Sequence, residues 1–269
     1  MDWIEGFDSS VDINIQGTNT VTRSEGGDYI GLRNLDDAGL KYNTVVFYYK
    51  SFILRYQDPS GQATIRALAI ADNGIVIVSS FLDNGSTAVR ILKVTENSVT
   101  LLQVKQGSRG MGSGVSISPA ADKACIGDPV EGEVYIFNLS ASFSLMQETK
   151  VTLIAPSNMR TSNFGEKVGL SSTGTSLAVA APAHQGPNGE TSGAVFLYLF
   201  DAEANRWEQM DSIIYGDDFH LGLGEGGVTA SDVLGRVDAN DNAGIRVSYK
   251  VSVCLLNSLL YYELFSKRS

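Results

Sequence analysis

A stretch of the chain recurs 53 positions later without a gap (residue 111 matching residue 164), and this repeat constrains the fold more than any other feature. Residues 111–118 align with residues 164–171, and residues 124–129 align with residues 177–182. A further 53 positions on, residues 220–224 align more weakly with residues 167–171. Self-similarity at a period of roughly 20 to 50 residues is typical of solenoids, propellers and other arrays.

The clearest copy of the repeat has four short apolar or alternating segments separated by turns. These segments cover residues 168–171, 177–181, 194–199 and 206–214, and a period of two dominates them, as in strands. Thr173-Gly174 lies between the first two segments, and such a pair tolerates the positive φ of a tight turn. Four-stranded units of this size are typical of β-propeller blades, whose radial stacking buries both faces of each small sheet.

We therefore predict an all-β protein, a β-propeller of about five four-stranded antiparallel blades. The propeller domain covers residues 1–250 and is followed by a divergent C-terminal tail at residues 251–269. The units either form an incomplete array or close into a ring with the N-terminal segment, and Val115, Val168 and Leu221 are expected on the innermost strands. The predicted repeat units lie near residues 18–62, 63–107, 108–160, 161–215 and 216–250.

The best unit resembles the FG-GAP repeat of integrin α-subunit propellers. The resemblance rests on Phe164-Gly165, residues 171–182 and residues 193–198. It implies a propeller with ligand-binding loops on one face, a role in cell adhesion and an extracellular or cell-surface location. The calcium-binding form of this repeat has an Asp-x-Asp-x-Asp-Gly loop, whereas residues 118–123 and 171–176 contain at most one carboxylate each. We therefore predict no calcium at these loops, and no cofactor.

Charge and hydropathy argue against nucleic acid as a partner and against a membrane-spanning helix. Thirty Asp and Glu against twenty Lys and Arg give a formal charge of −10, so the clustered cations that displace counterions from a nucleic acid are not expected. No segment approaches the roughly 20 consecutive apolar residues of a membrane-spanning helix. The first residues carry acidic side chains where a secretory signal would have cations and an apolar core. The sequence leaves the compartment open.

The sequence contains no recognisable catalytic motif. His184 and His220 are the only histidines, and no nucleophile elbow, Walker loop or His-Glu-x-x-His segment occurs. We predict a non-enzymatic binding or scaffold module that uses the loops of one propeller face to bind a protein or a glycan. The acidic excess favours a basic partner, and an open ring would allow oligomerisation.

In a propeller, the loops between second and third strands and those between blades share one face. The side chains predicted to form the interaction face are Asp83, Asp128, Glu131, His184, Glu190, Asp238 and Asp241. We expect His184 to be an exposed loop residue. The cations that the loops between units add to this face are Lys105, Arg109, Lys150 and Arg160.

Two alternatives remain open from the residues. One is a glycan-processing enzyme, since glycoside hydrolysis uses two carboxylates about 5–9.5 Å apart and some propellers place such a pair at the central channel. The predicted innermost strands are small or apolar, and only Glu166 lies near a channel mouth, which disfavours this alternative. The other is that the chain is a truncated fragment of a larger adhesion-like repeat protein.

Overall fold

The fold consists of β-strands and turns. The computed structural model describes residues 21–24, 26–34, 44–49, 52–58, 63–139, 151–154, 162–185, 193–210, 213–215, 228–230, 246–255 and 258–267. Within these ranges there is no helix. The fold class predicted from the repeat, an all-β propeller, is confirmed.

Five antiparallel sheets follow one another along the chain. The strands of the first two sheets are β1 (Val21–Arg23), β2 (Tyr29–Asn34), β3 (Thr44–Tyr49), β4 (Phe52–Gln57), β5 (Ala63–Ile70), β6 (Ile75–Leu82), β7 (Thr87–Val94) and β8 (Val99–Gly107). The strands of the third and fourth sheets are β9 (Val115–Ile117), β10 (Lys123–Asp128), β11 (Glu133–Asn138), β12 (Val151–Ile154), β13 (Lys167–Leu170), β14 (Ser176–Ala181), β15 (Ala194–Asp201), β16 (Arg206–Gln209) and β17 (Ile214–Tyr215). The strands of the last sheet are β18 (Val228–Ala230), β19 (Arg246–Leu255) and β20 (Ser258–Lys267).

The first three sheets are four-stranded meanders, as predicted, and the last two differ from that pattern. In the fourth sheet the outer strand is split, because β16 pairs with the end of β15 and β17 pairs with its beginning. The last sheet has three described strands, and its strand β19 crosses residue 250. The division into a domain at 1–250 and a tail at 251–269 stays a prediction.

The turn between the first and second strands is the same in the first four sheets. In each of them, the backbone N–H of the fourth turn residue donates to the carbonyl oxygen of the first, and the fourth residue has a positive φ between 57° and 80°. The four turns are Ser24 to Gly27, Ala71 to Gly74, Ser118 to Ala121 and Ser171 to Gly174. The last two turns are 53 positions apart, so the predicted register of the repeat is correct there. The turn of the first sheet has the same hydrogen bond, so that sheet is an equivalent unit at this point.

The sheets are arranged around a common axis with their first strands innermost. Strand β1 contacts β5, β5 contacts β9, β9 contacts β13, and β13 contacts β18. Val115 lies on β9 and Val168 on β13, which are the predicted innermost strands, whereas Leu221 lies outside the described residues.

Each hydrophobic core lies between two neighbouring blades. One cluster joins the first and second blades through residues such as Phe47 and Val76, and another joins the second and third through residues such as Ile77 and Ile126. A third joins the third and fourth blades and includes Phe164. The second and third sheets each contribute to two of these clusters. In the fourth sheet, β14 also contacts β18 of the last sheet and is buried at every position.

Candidate functional site

The path of the chain places two kinds of connection on one face of the blades, which we call the loop face. These are the loops that join successive blades and the loops that join second to third strands. The loop face carries residues 108–114, between β8 and β9, and residues 129–132, between β10 and β11. The opposite face, the turn face, carries the turns between first and second strands and between third and fourth strands.

A pocket of about 500 Å³ opens on the loop face over the second, third and fourth blades. It combines charged, polar and apolar side chains, as ligand pockets do. We call this site the loop-face pocket, and its lining residues are Thr64, Arg66, Phe81, Arg109, Gly110, Ser113, Pro129, Val130, Asn163 and Glu166.

A β-bulge positions Arg66 in this pocket. The pairing of β5 with β6 passes from Ile65 opposite Ser80 to Ala67 opposite Ser79, so Arg66 is the extra residue without a partner on β6. Its guanidinium lies 5.8 Å from the ring centroid of Phe81 and donates from Nη1 to the carbonyl oxygen of Arg109 at 3.3 Å. These two contacts orient the side chain toward the loop between the second and third blades.

The loop that carries Arg109 is held close to the third blade by glycines. The N–H of Gly112, at φ +85°, donates to the carbonyl oxygen of Gly127 at 2.8 Å. A Cβ added at Gly110 would lie 2.2 Å from Oδ1 of Asp128, so only glycine fits there. The hydroxyl of Thr87 donates to the carbonyl oxygen of Arg109 at 3.2 Å. The backbone at Arg109 is therefore fixed, whereas its side chain is exposed.

Asp128 organises the loop between β10 and β11 from the inside. Its side chain is fully buried and accepts hydrogen bonds from the Ser108 hydroxyl at Oδ2 and from the Glu131 N–H at Oδ1. These bonds turn Val130, which is 60% exposed, and Glu131 outward at the tip of the loop. Asp128 therefore shapes the rim of the pocket without lining it.

The predicted interaction residues fall into three groups. Asp83 and Glu131 are exposed on the loop face, and their part in binding stays a prediction. Asp128 and His184 are buried, at 0% and 8% exposure. The residues of this prediction that lie outside the described ranges are Glu190, Asp238 and Asp241.

The expectation of an exposed His184 is wrong, because β17 covers it. The ring of Tyr215 stacks on the imidazole with centroids 5.6 Å apart, and Phe196 approaches it edge-on at 6.0 Å. Burial lowers the pKa of His184 below its ordinary value.

From the sequence we predicted Arg109 on this face and Glu166 near a channel mouth, but we missed Arg66 and Phe81. Both missed residues belong to strands rather than to loops, and nothing in the alternation of residues 63–70 marks a bulge. A useful signal would have been the single cation in an otherwise uncharged strand.

The chemical repertoire of the pocket is limited. Among the described residues of its lining, Glu166 is the one carboxylate, whereas glycoside hydrolysis uses a pair. No group of three or more potential metal ligands occurs within the described ranges. The thiol of Cys125 is buried, and burial raises its pKa, which makes it a poor nucleophile. Searching the described part of the chain finds no helix able to cross a membrane.

No protein-family model matches the sequence, and no curated protein matches it at a significant level. Solved structures do match. A protein from Lactobacillus plantarum has a TM-score of 0.50 at 14% identity, with 91% of this chain and 70% of that chain covered. The β-propeller domain of Cps50 (Swd1) from Myceliophteria thermophila has a TM-score of 0.50 at 10% identity, with 91% and 72% covered. This likeness shows the propeller fold.

Proposed function

We propose that this chain is a non-enzymatic binding module that holds a segment of another protein on its loop face. The observation that carries this proposal is the loop-face pocket, in which three consecutive blades contribute to one concave site. Val130 is the most exposed of the large hydrophobic side chains identified in the described ranges, and it lies in the pocket wall. An exposed apolar side chain beside arginine and an aromatic ring is typical of protein-binding surfaces.

A protein partner fits this pocket better than a substrate to be cleaved. The buried carboxylate of Asp128 is engaged by Ser108 and by the Glu131 backbone, and Glu166 has no second carboxylate beside it in the lining. The innermost strands β9 and β13 consist of serine, glycine and aliphatic residues together with Lys167, and they include no carboxylate. These features support binding rather than hydrolysis.

The proposal includes membership in the FG-GAP repeat class, as a variant without the calcium loop. Phe164 and Met111 are both buried, and each is followed by a glycine with positive φ, Gly165 at +92° and Gly112 at +85°. The Gly165 N–H donates to the Ala180 carbonyl as the Gly112 N–H donates to that of Gly127. This equivalence supports the resemblance, and the cell-surface location that the resemblance implies stays a prediction.

Selection from a random dodecapeptide library tests the protein-binding proposal, with a glycan array as the competing assay. We expect enriched peptides that bind the wild type and lose at least about tenfold in affinity for Arg109→Glu. The matched control is Arg206→Glu, because Arg206 is exposed, follows a turn on the opposite face and forms only an exposed pair with Glu208. Equal losses in the two variants, no enriched peptide, or selective binding of glycans alone would contradict the proposal.

A further inference from the structure

The loop-face pocket is a cationic site on an acidic protein. The chain has a formal charge of −10, yet the described residues of the pocket lining include two arginines against one glutamate. Within the described ranges, neither Arg66 nor Arg109 lies at ion-pair distance from a carboxylate, in contrast to the buried Arg90 and the surface Arg206. The two cations of the pocket are therefore available to a ligand of opposite charge.

Both arginines are prepared for such a ligand, in different ways. Arg66 is fixed by the bulge in β5, by the ring of Phe81 and by the carbonyl oxygen of Arg109. That carbonyl also accepts the hydrogen bond from Thr87, so the backbone that carries the second guanidinium is held in place. Ordering before binding reduces the entropy that a ligand must overcome.

The composition of the lining selects among anions. The two guanidinium groups and one carboxylate among the described residues of the lining sum to a charge of +1, which matches a monoanion better than a dianion. A carboxylate accepts two parallel hydrogen bonds from one guanidinium, so a single arginine can hold it. The apolar part of the lining, Phe81, Pro129 and Val130, fits an uncharged side chain next to that carboxylate.

We infer that the loop-face pocket recognises an Asp or Glu side chain, flanked by an apolar residue, in a segment of the partner protein. The guanidinium of Arg109 binds the carboxylate, and Arg66 adds the second positive charge. This inference rests on the proposed function, since it specifies the chemistry of the segment that the same site binds. The net charge of the whole chain favours a basic partner. The charge of the pocket instead favours an acidic side chain in the segment that binds there.

The test uses the peptides enriched from the dodecapeptide library against the wild type. We expect an Asp or Glu at a fixed distance from an apolar residue, and at least about tenfold weaker binding when that acid is replaced by Asn or Gln. In Arg109→Gln the acidic and amide peptides should bind about equally, because the guanidinium that distinguishes them is gone. The amide peptide should bind Arg109→Gln about as well as it binds the wild type, which excludes misfolding as the cause. Arg206→Gln, on the turn face, should keep the full preference for the acid.

Other results overturn the inference separately from the proposed function. Enriched peptides that lose binding to Arg109→Glu but show no preference for acid over amide would contradict the carboxylate assignment and leave the binding module in place. Binding that becomes at least tenfold tighter when phosphoserine replaces the acid would also contradict it, because the site would then prefer a dianion. Failure to enrich any peptide would count against the proposed function, and the inference would fall with it.

Discussion

The buried contacts that join the blades differ sharply from the pocket that opens above them. Between the third and fourth blades, Gly127 packs directly against the backbone of Gly165, with no room for a methyl group. In the pocket, Arg109 and Val130 extend into solvent from two neighbouring loops, the one between β8 and β9 and the one between β10 and β11. One set of residues is therefore constrained by packing, and the other can be changed without disturbing the fold. The comparison teaches that glycines such as Gly127 and Gly165 serve the packing of the blades, whereas we expect the large exposed side chains of the neighbouring loops to serve recognition.

The largest effect is expected at the buried ion pair between Asp58 and Arg90, which ties the end of the first blade to the second. Arg90 Nη1 lies 2.6 Å from Asp58 Oδ2, and both side chains are nearly inaccessible. The Ser80 hydroxyl donates to the same carboxylate at 3.1 Å. Asp58→Asn leaves a buried guanidinium without its counter-charge, so we expect the free energy of unfolding, measured with denaturant, to fall by about 3–5 kcal/mol.

A double variant serves as the control for this prediction. Asp58→Leu combined with Arg90→Met removes both charges and should recover most of the stability lost in Asp58→Asn, because apolar pairs often replace buried ion pairs at no cost. If Asp58→Asn loses less than about 1 kcal/mol, the pair does not join the blades in the way described.

The next effect concerns the contact between glycines. A Cβ added at Gly127 would lie 1.9 Å from the carbonyl oxygen of Gly165, so Gly127→Ala forces two blades apart and should cost about 3 kcal/mol. Gly85→Ala is the comparison, since Gly85 has a φ of +84° but nothing within 4 Å of the added methyl group. It should cost only about 1 kcal/mol of backbone strain. Denaturant unfolding of both variants measures the difference, and equal losses would mean that the blades do not touch at Gly127.

A smaller effect is expected from pH at His184. Burial lowers the pKa of this side chain in the folded state below the ordinary value of 6.5, so the unfolded chain binds the proton more readily. The contribution of the neutral imidazole to the free energy of unfolding is fully present above pH 6.5. It is lost as the pH falls from 6.5 through the lowered pKa of the folded state. The free energy of unfolding should therefore decrease less between pH 7.5 and pH 5.5 in His184→Asn than in the wild type. Identical slopes would place the imidazole in solvent.

The smallest effect on stability is expected in the pocket. Arg109 is exposed, and its contacts to Arg66 and Thr87 use its backbone oxygen, which every substitution keeps. Arg109→Glu should change the free energy of unfolding by less than about 0.5 kcal/mol while abolishing peptide binding. A loss comparable to that of Gly127→Ala would remove the distinction between scaffold and recognition residues.

The part of the fold that repeats could be predicted from the sequence. Met111 aligns with Phe164, and the glycine that follows each of them has a positive φ. The alignment finds these two glycines because the same backbone conformation favours glycine in both copies of the unit. The first blade was predicted near residues 18–62 without a gapless alignment to the other units, although its turn from Ser24 to Gly27 has the same geometry. Short turns with one constrained residue contain too little sequence information to reveal a distant copy.

The site was less accessible to prediction because it depends on departures from the repeat. Arg66 enters the pocket through a bulge that only the pairing of β5 with β6 reveals. His184 was expected in solvent, but the split outer strand of the fourth blade brings Tyr215 over it. Asp128 is the last residue of β10, and the loop that follows the preceding blade covers it, where Ser108 donates to its carboxylate. In each case a neighbouring segment decides the environment of the side chain.

Hydrogen–deuterium exchange with and without a selected peptide tests most directly whether the loop face is the binding face. We expect the peptide to slow exchange in residues 108–114 and 129–132, which border the pocket, and to leave the turns at residues 71–74 and 118–121 unchanged. Slower exchange confined to those turns, on the opposite face, would contradict the proposed binding site.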